Sequence, residues 1–163
     1  MRLERELDRT SRDGKPLTVV IGDIDHFKDV NDTWGHLAGD RALVEVSRRL
    51  QRSVRTYDGV GRYGGEEFML VLPGCGVEDG AVLAERLRAS VASEPIQTEH
   101  GPISISMSFG VTTIEGASGV IGRDEIVRVT DEAMYAAKRA GRDRVMRGGL
   151  LQRADGRVHA ARP

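Results

Sequence analysis

The stretch Leu17-Thr-Val-Val-Ile-Gly-Asp-Ile-Asp25 carries the strongest indication of the fold. Residues 17–21 form a short, continuous apolar run, which is typical of a strand buried on both faces. The run ends at Gly22, and the acids Asp23 and Asp25 follow where such a strand reaches the protein surface. The stretch therefore predicts a central strand with carboxylates at its exit.

Helical and strand-like segments alternate around this run. Helices are predicted over residues 3–12, 27–39 (with a turn), 40–55, 81–93 and 125–140. Strands are predicted over residues 17–21, 60–63, 66–72, 102–113 and 144–146. This order favours an α/β (α+β) fold with one mixed sheet flanked by helices. The tail over residues 148–163 lacks periodicity, so we expect a single domain over residues 1–147 followed by a disordered tail.

Composition and charge restrict the possible functions. The 163 residues include 24 Lys and Arg against 25 Asp and Glu, a net charge of −1. A chain of this length buries a sizeable core without disulfides. Near-neutrality argues against a protein that coats DNA or RNA, which needs a basic excess. It leaves room for a site that binds one small phosphorylated ligand.

The cellular compartment is indicated by cysteine usage and hydropathy. Cys75 is the only cysteine, so an internal disulfide is impossible and a reducing compartment is favoured. No apolar stretch approaches the roughly 18 residues that a membrane span needs. The charged start of the chain does not resemble a signal peptide. We therefore expect a cytoplasmic location and no membrane contact for this sequence.

Three carboxylates are candidates for a metal site. Asp23 lies at the exit of the buried strand, while Glu66 and Glu67 follow a predicted tight turn. If that hairpin pairs alongside the strand, the three acids converge and repel one another unless a cation neutralises them. An all-oxygen donor set favours Mg²⁺ or Mn²⁺. Spacing alone supports equally well a solvated hairpin tip and a turn-forming Asp23.

The pair Gly64-Gly65 also has two interpretations. Two glycines between strand-like runs predict a tight hairpin, because the primed turns need positive φ. The missing Cβ also lets a ligand approach the backbone closely. Taken alone, the glycine pair does not distinguish a turn from a ligand site.

Together with its neighbours, this hairpin resembles a known family signature. The run Arg62-Tyr-Gly-Gly-Glu-Glu-Phe68 is similar to the signature of the GGDEF family, the diguanylate cyclases, in its GGEEF variant. Four further segments resemble the first motif of that family: Asp23-Ile-Asp-His-Phe-Lys28, Asn31-Asp32, Gly35-His36 and Gly39-Asp40. The signature and the first motif occur in the order and at the intervals usual in the family.

The resemblance continues into the second half of the chain. Met107-Ser-Phe-Gly-Val111 is similar to the family's later strand. Its final helix is resembled by Asp131-Glu-Ala-Met-Tyr-Ala-Ala-Lys138 and Arg139-Ala-Gly-Arg142. The resemblance thus spans residues 16–145 and implies a nucleotide-cyclase or polymerase-palm fold, with a mostly antiparallel mixed sheet flanked by helices.

The resemblance implies a reaction and a cofactor. Two GTP would be joined into cyclic di-GMP with release of two pyrophosphates. Asp23, Glu66 and the backbone carbonyl of Ile24 would bind two Mg²⁺ ions, or Mn²⁺. Such a pair of ions clamps the attacking and leaving oxygens of an in-line phosphoryl displacement. Glu67 would be either a further ligand or an aid to deprotonation of the attacking 3′-hydroxyl, and both roles remain open.

The resemblance also assigns guanine-binding residues. Asn31 and Asp40 match the positions that read guanine, and an Asp acceptor suits the N1–H and exocyclic amine that adenine lacks. The alternative for Asp40 is a helix N-cap, which is compatible with guanine recognition. His36, Gly64 and Gly65 are further substrate-binding residues that the resemblance implies.

The triphosphate is assigned to four other residues. Phe27 and Lys28 begin a helix whose backbone N–H groups favour anions. Lys138 and Arg142 are four residues apart, so they are expected on one helical face within reach of the triphosphate. Viewed without the family pattern, both cations are more often simply solvated charges.

A second constellation concerns regulation. Arg55-Thr-Tyr-Asp58 lies before Gly64 at the interval of the family's inhibitory RxxD site, and Arg86 matches a supporting arginine. Arg55 suits a phosphate or a guanine edge, and Asp58 suits a guanine Watson–Crick edge. The alternative is an ordinary Arg–Asp surface pair. The resemblance favours product inhibition by cyclic di-GMP.

The sequence also departs from the family pattern at its start. Family members usually carry a segment like Asp-x-Leu-Thr-Gly-Leu-x-Asn-Arg before the first helix, and this chain begins after it. We expect a fragment of a longer protein with a sensory domain upstream. Because the product is two-fold symmetric and each chain offers one site, catalysis is expected in a homodimer.

Two function classes follow from these residues. The first is an active diguanylate cyclase, and the intact acids and glycines favour it. The alternative is a non-catalytic receptor that binds GTP or cyclic di-GMP as a signal. A receptor of this kind is expected to lack the acids or the glycines, and both are present here. The missing N-terminal segment nevertheless keeps the receptor open as an alternative.

Overall fold

A computed structural model describes residues 2–115, 121–154 and 157–160. Its helices are α1 (Arg2–Asp13), α2 (Phe27–Trp34), α3 (His36–Arg52), α4 (Val77–Ala92) and α5 (Arg123–Arg139). Its strands are β1 (Leu17–Ile24), β2 (Gly59–Arg62), β3 (Glu67–Pro73), β4 (Ile96–Thr98), β5 (Gly101–Ile103), β6 (Met107–Ile114), β7 (Val145–Ala154) and β8 (Arg157–Ala160). None of these helices is long and apolar enough to cross a membrane.

The central sheet has six strands in the order β2-β3-β1-β6-β7-β8. Every neighbouring pair is antiparallel except β6 and β7, which are parallel. This confirms the prediction of a mixed, mostly antiparallel sheet flanked by helices. All eight residues of β1 are buried because helices cover both sides of this strand.

The two faces of β1 contribute to different parts of the core. Val20 and Ile24 pack with residues of α3 and α4. Leu17, Val19 and Ile21 pack with residues of α1 and α5. Because side chains alternate along a strand, Asp23 belongs to the α5 side of the sheet. The end of β1 thus presents its carboxylate to the final helix.

Several element bounds differ from the sequence prediction. The third helix begins at His36 rather than at residue 40, because Gly35, with φ 82°, separates it from α2 by one residue. The strand predicted over residues 102–113 is divided into β5 and β6. β5 pairs with β4 in a separate two-stranded sheet, while β6 joins the central sheet. Alternating apolar residues therefore did not identify which sheet each half enters.

The hairpin between β2 and β3 also differs from the prediction. The N–H of Tyr63 donates to the carbonyl of Glu67 at 2.8 Å, so residues 64–66 form the turn. Neither glycine adopts a φ between +20° and +160°, which corrects the expected primed turn. The turn is instead closed by Arg62, whose Nε donates to the Gly65 carbonyl at 2.8 Å.

The predicted disordered tail is also corrected. Residues 148–154 continue β7, which pairs in parallel with β6, and residues 157–160 form β8. Leu151 is fully buried and packs with the α5 side of the core. The pairing partner β6 is distant in sequence, so local periodicity does not reveal this strand. The remaining tail residues, 155–156 and 161–163, lie outside the described residues.

Candidate active site

The end of β1 and the β2–β3 hairpin bring the predicted acids together. Asp23 pairs with Glu67 in the antiparallel register of β1 and β3. The N–H of Ile24 donates to the carbonyl of Glu66 at 3.3 Å. The hairpin is therefore paired alongside the central strand, as the convergence of the three acids requires. Asp23 is almost fully buried, whereas Glu66 and Glu67 are half-buried.

The electrostatics of these acids reflect burial and mutual repulsion. Burial is the largest cause of the raised pKa of Asp23, opposed by Lys138 and reinforced by Asp25 and Asp131. Burial also raises the pKa of Glu66 and of Glu67, and the charge of Asp23 is the next cause for both. Ionising all three carboxylates is therefore costly without a neighbouring cation.

A cation side chain already lies at this cluster. The Nζ of Lys138, on α5, is 2.9 Å from Oδ1 of Asp23. The ion pair is largely shielded, because Asp23 is buried and the Lys138 side chain is 25% exposed. Lys138 thus reaches the strand exit, where it partly neutralises the acids.

The acids are chemically suited to bind a divalent cation, but they do not form a preformed metal site. Their oxygens are hard donors, and their mutual repulsion is what a divalent ion relieves. Among the described residues, however, no group of three or more His, Cys, Asp or Glu side chains is arranged to hold a metal ion. Lys138 engages Oδ1 of Asp23, so a metal ion at this oxygen competes with the ammonium group.

The guanine-assigned residues lie on α2 and α3. A Cβ placed on Gly39 would be 2.0 Å from Oδ1 of Asn31, so the Asn31 side chain lies against α3 directly before Asp40. His36 and Asp40 are both exposed. Asp40 lies within α3, whose N-cap is Gly35, and this excludes the alternative role of Asp40 as an N-cap.

Of the phosphate-assigned residues, Arg142 is placed differently from the prediction. Phe27 and Lys28 begin α2, with Lys28 exposed and Phe27 buried. Lys138 is in the last turn of α5, but Arg142 lies beyond the end of this helix with φ 61°. The expectation that Lys138 and Arg142 share one helical face is therefore wrong. A left-handed turn after the helix, which the spacing does not indicate, places Arg142 instead.

The predicted product-inhibition residues line one cavity. Arg55, Asp58 and Arg86 border a surface cavity of 180 Å³. The Asp58 carboxylate accepts a hydrogen bond from the backbone N–H of Arg55 at 2.8 Å. The guanidinium of Arg86 donates to the carbonyl of Ser53 at 2.8 Å. The hydrogen bond from Arg55 to the Tyr57 hydroxyl is the largest cause of the raised pKa of Arg55, and the charge of Asp58 also contributes to it.

Two further acids belong to the neighbourhood of Asp23 and are not assigned to the site from the sequence. The charge of Asp131 raises the pKa of both Asp23 and Glu67. Its seven-residue spacing from Lys138 places both on one face of α5, and this spacing is readable in the sequence. Asp25, the other acid, is buried and bound by neighbouring residues. Its position two residues after Asp23 is the feature of the sequence that could have indicated its place near the site.

Known proteins resemble this chain over most of its length. The sequence model of the family described as "Diguanylate cyclase, GGDEF domain" matches residues 1–144. Diguanylate cyclase DgcP of Pseudomonas aeruginosa is 44% identical over 144 residues, which are 88% of this chain and 21% of that protein. Diguanylate cyclase DosC of Escherichia coli K12 is 40% identical over 143 residues, which are 87% of this chain and 30% of that protein.

A solved structure also resembles the fold described here. The GGDEF domain of DgcB from Caulobacter crescentus, crystallised in complex with c-di-GMP, superposes with a TM-score of 0.83 at 30% identity. The match covers 90% of this chain and 86% of that domain. By contrast, this chain spans less than a third of the length of DgcP and DosC.

Proposed function

The chain belongs to the GGDEF family of diguanylate cyclases, and we propose that it condenses two GTP into cyclic di-GMP with release of two pyrophosphates. One observation carries the proposal. The hairpin that bears the glycine pair and two glutamates lies alongside the strand that ends in Asp23. Acids that repel one another at the exit of a central strand are suited to a cation-dependent phosphoryl transfer.

Guanine recognition is proposed for the contact between α2 and α3. Asn31 lies against α3 at Gly39, and the neighbouring Asp40 is exposed. A carboxylate in this position accepts hydrogen bonds from the N1–H and exocyclic amine of guanine, whereas adenine offers no such pair of donors. Asp40 therefore selects GTP over ATP, with His36 at the same end of α3.

Triphosphate binding is proposed for two helix ends. The first turn of α2, with Phe27 and Lys28, offers backbone N–H groups and a positive dipole end to an anion. Lys138 and Arg142 approach from the end of α5, and Gly64 and Gly65 offer a backbone without side chains. These groups hold the nucleotide so that its α-phosphate is presented to the acids.

The acids are proposed to hold the cofactor and to assist proton removal. Asp23, Glu66 and the carbonyl of Ile24 would hold two Mg²⁺, or Mn²⁺, which supply neutralisation of the charge that develops on the phosphate oxygens. Opening of the Asp23–Lys138 pair frees Oδ1 of Asp23 and, at the same time, an ammonium for the triphosphate. Glu67, whose pKa is raised by burial, is either a further ligand or the acceptor of the 3′-hydroxyl proton.

In the chemical step, the 3′-hydroxyl of one GTP attacks the α-phosphorus of the other. The bond from the α-phosphorus to the bridging oxygen breaks, and pyrophosphate leaves. A second, equivalent attack closes the ring. One such site per chain and a two-fold symmetric product require two protomers facing each other, so we propose a homodimer as the active form.

Product inhibition is proposed for the cavity of Arg55, Asp58 and Arg86. The guanidinium groups of Arg55 and Arg86 and the carboxylates of Asp58 and Asp79 border a space of 180 Å³. Guanidinium groups bind phosphates or the acceptor edge of guanine, and a carboxylate binds its donor edge. Cyclic di-GMP offers all of these groups, so the cavity suits the product of the proposed reaction.

A second candidate is a non-catalytic receptor for GTP or cyclic di-GMP. It is favoured by the ion pair of Asp23 with Lys138, since this contact occupies one oxygen of a carboxylate that catalysis needs. The two candidates are separated by incubation with GTP and Mg²⁺, followed by chromatography for cyclic di-GMP. The enzyme gives product that Glu66→Gln abolishes. A protein that binds GTP yet forms no product is a receptor, and the catalytic proposal then fails.

A further inference from the structure

A buried carboxylate beside the active site has no role in the proposed reaction. Asp25 lies two residues after Asp23 and is 5% exposed. Its Oδ2 accepts hydrogen bonds from Ser106 Oγ at 2.7 Å and from the backbone N–H of Asp143 at 3.0 Å. Its Oδ1 accepts a hydrogen bond from Ser108 Oγ at 2.7 Å. The carboxylate is thus buried with three donors, one of which belongs to the segment after α5.

The segment that Asp25 holds has an unusual backbone. Gly141, Arg142 and Asp143 have φ values of 113°, 61° and 43° in succession. A Schellman motif ends α5, with the Arg142 N–H donating to the Ala137 carbonyl at 3.1 Å and the Gly141 N–H to the Lys138 carbonyl at 3.4 Å. That motif explains Gly141, but it does not require two further left-handed residues, which are unfavourable for residues with a Cβ.

We propose that Asp25 is a positioning residue for the triphosphate, because its bond to the Asp143 amide fixes the left-handed turn that carries Arg142. The inference rests on the proposed function, in which Arg142 contacts the triphosphate. The end of β1 then orients the two positively charged side chains at the end of α5, those of Lys138 and Arg142. Asp23 contacts Lys138 directly, and Asp25 sets the backbone at Arg142.

Two other contacts reach the same turn, and they are more exposed. Arg88 Nη1 lies 2.7 Å from Oδ1 of Asp143, whose side chain is 47% exposed. Arg144 Nε donates to the Arg142 carbonyl at 2.9 Å within the turn itself. Exposed ion pairs and local hydrogen bonds stabilise little, whereas the bond to Asp25 is shielded from water. Asp25 therefore ties Asp143 to the end of β1, while the Arg144 carbonyl, one residue later, accepts from the Phe109 N–H of β6 at 2.9 Å.

The chemistry of substitution at Asp25 gives distinct expectations. Asp25→Ala removes the acceptor of the Asp143 N–H, and the turn is then free to leave its left-handed conformation. If one molecule in ten keeps the competent turn, triphosphate affinity falls about tenfold. Asp25→Asn retains one oxygen for the Asp143 N–H, and its amide donates to a serine hydroxyl that can also accept. This variant is expected to stay within about twofold of the wild type.

The test measures binding by calorimetry with two probes. The first is the α,β-methylene analogue of GTP with Mg²⁺, which cannot release pyrophosphate, and the second is GMP. Asp25→Ala is expected to weaken the analogue about tenfold and to leave GMP binding unchanged, because GMP lacks the outer phosphates. In an Arg142→Ala background, Asp25→Ala is expected to have no further effect, since Asp25 acts through Arg142.

Controls separate this role from a general structural one. Ser106→Ala removes one donor but keeps the bond to the Asp143 amide, so analogue affinity should stay near that of the wild type. Hydrogen exchange of the Asp143 amide should be slow in the wild type and fast in Asp25→Ala. If the alanine variant does not fold, Asp25→Ser, whose hydroxyl is too short to replace the carboxylate, replaces it with the same expectations.

Three results overturn the inference: unchanged analogue affinity in Asp25→Ala, equal losses for the analogue and GMP, or losses that add to those of Arg142→Ala. Unaltered exchange of the Asp143 amide overturns it as well. A wild-type protein that binds GMP and the analogue equally well has no triphosphate site, and this result removes both the inference and the proposed function. The other failures leave the proposed function intact.

Discussion

Replacing Gly39 with alanine tests how the guanine site is assembled. A Cβ at this position would lie 2.0 Å from Oδ1 and 3.0 Å from Cγ of Asn31, and 3.3 Å from Cζ of Phe27. Because non-bonded heavy atoms approach favourably only to about 3.5 Å, the Asn31 amide has to move by more than about 1 Å. Phe27 has to yield by only a few tenths of an ångström.

The expected magnitude combines two opposing effects on stability with one on binding. Alanine is favoured over glycine inside a helix by about 1 kcal/mol. Overpacking against Asn31 costs about 1–3 kcal/mol, so the free energy of unfolding should fall by no more than about 2 kcal/mol. A displaced Asn31 loses its hydrogen bond to guanine, and a loss of about 1.4 kcal/mol lowers GTP affinity tenfold.

The assay compares GTP and ATP affinity by calorimetry in matched variants. Gly39→Ala should lose GTP affinity about tenfold and ATP affinity much less, so that nucleotide discrimination falls. Asn31→Ala should show the same loss, and adding Gly39→Ala to it should change nothing more. Gly61→Ala is the control, since a Cβ there meets no atom within 4 Å. Undiminished GTP affinity in Gly39→Ala would refute the placement of Asn31 at the guanine.

Three other predictions concern stability, pH and the product site. Arg49 donates to the carbonyls of Val91 and Glu94 at 2.6 and 2.8 Å. Because Arg49→Met removes both donors, it should lower the free energy of unfolding, measured by urea titration, by about 3 kcal/mol. A change under about 1 kcal/mol contradicts this expectation. Hydrogen bonds from arginines lower the pKa of Glu45 from 4.5 to about 2. Because folding lowers this pKa, the ionised carboxylate contributes its full share to the free energy of unfolding above pH 4.5, and this contribution is lost as the pH falls through 2. The loss of unfolding free energy caused by Glu45→Gln should therefore become smaller over that range. A pH-independent cost of this variant opposes that assignment. Arg55→Ala should weaken cyclic di-GMP binding in calorimetry at least about tenfold, and unchanged product affinity removes the proposed inhibition site.

The central strand was predictable because its signal is local. The run from Leu17 to Ile21 is apolar enough to indicate burial on both faces, and the structure places β1 between two strands and under helices on both sides. The convergence of Asp23 with Glu66 required only that the hairpin pair with β1. A single antiparallel contact satisfies this condition, so spacing and topology together were sufficient.

The features that sequence missed depend on contacts between distant segments. β7 extends past residue 147 because it pairs with the edge of β6. The local sequence of residues 148–154 does not predict this pairing. Arg142 appears helical by spacing, yet it lies in a left-handed turn between the Schellman motif that ends α5 and Asp143, whose N–H donates to Asp25. Both depend on partners more than 30 residues away in the chain.

Catalysis by two protomers is tested by quantifying the cyclic di-GMP and pyrophosphate formed from GTP and Mg²⁺ across a dilution series of the protein. We expect two pyrophosphates for each cyclic di-GMP, a specific activity that rises with protein concentration, and no product from Glu66→Gln. Absence of cyclic di-GMP from a protein that binds GTP contradicts the catalytic claim. A specific activity that stays flat on dilution through dissociation of the dimer contradicts the claim that two protomers form the active site.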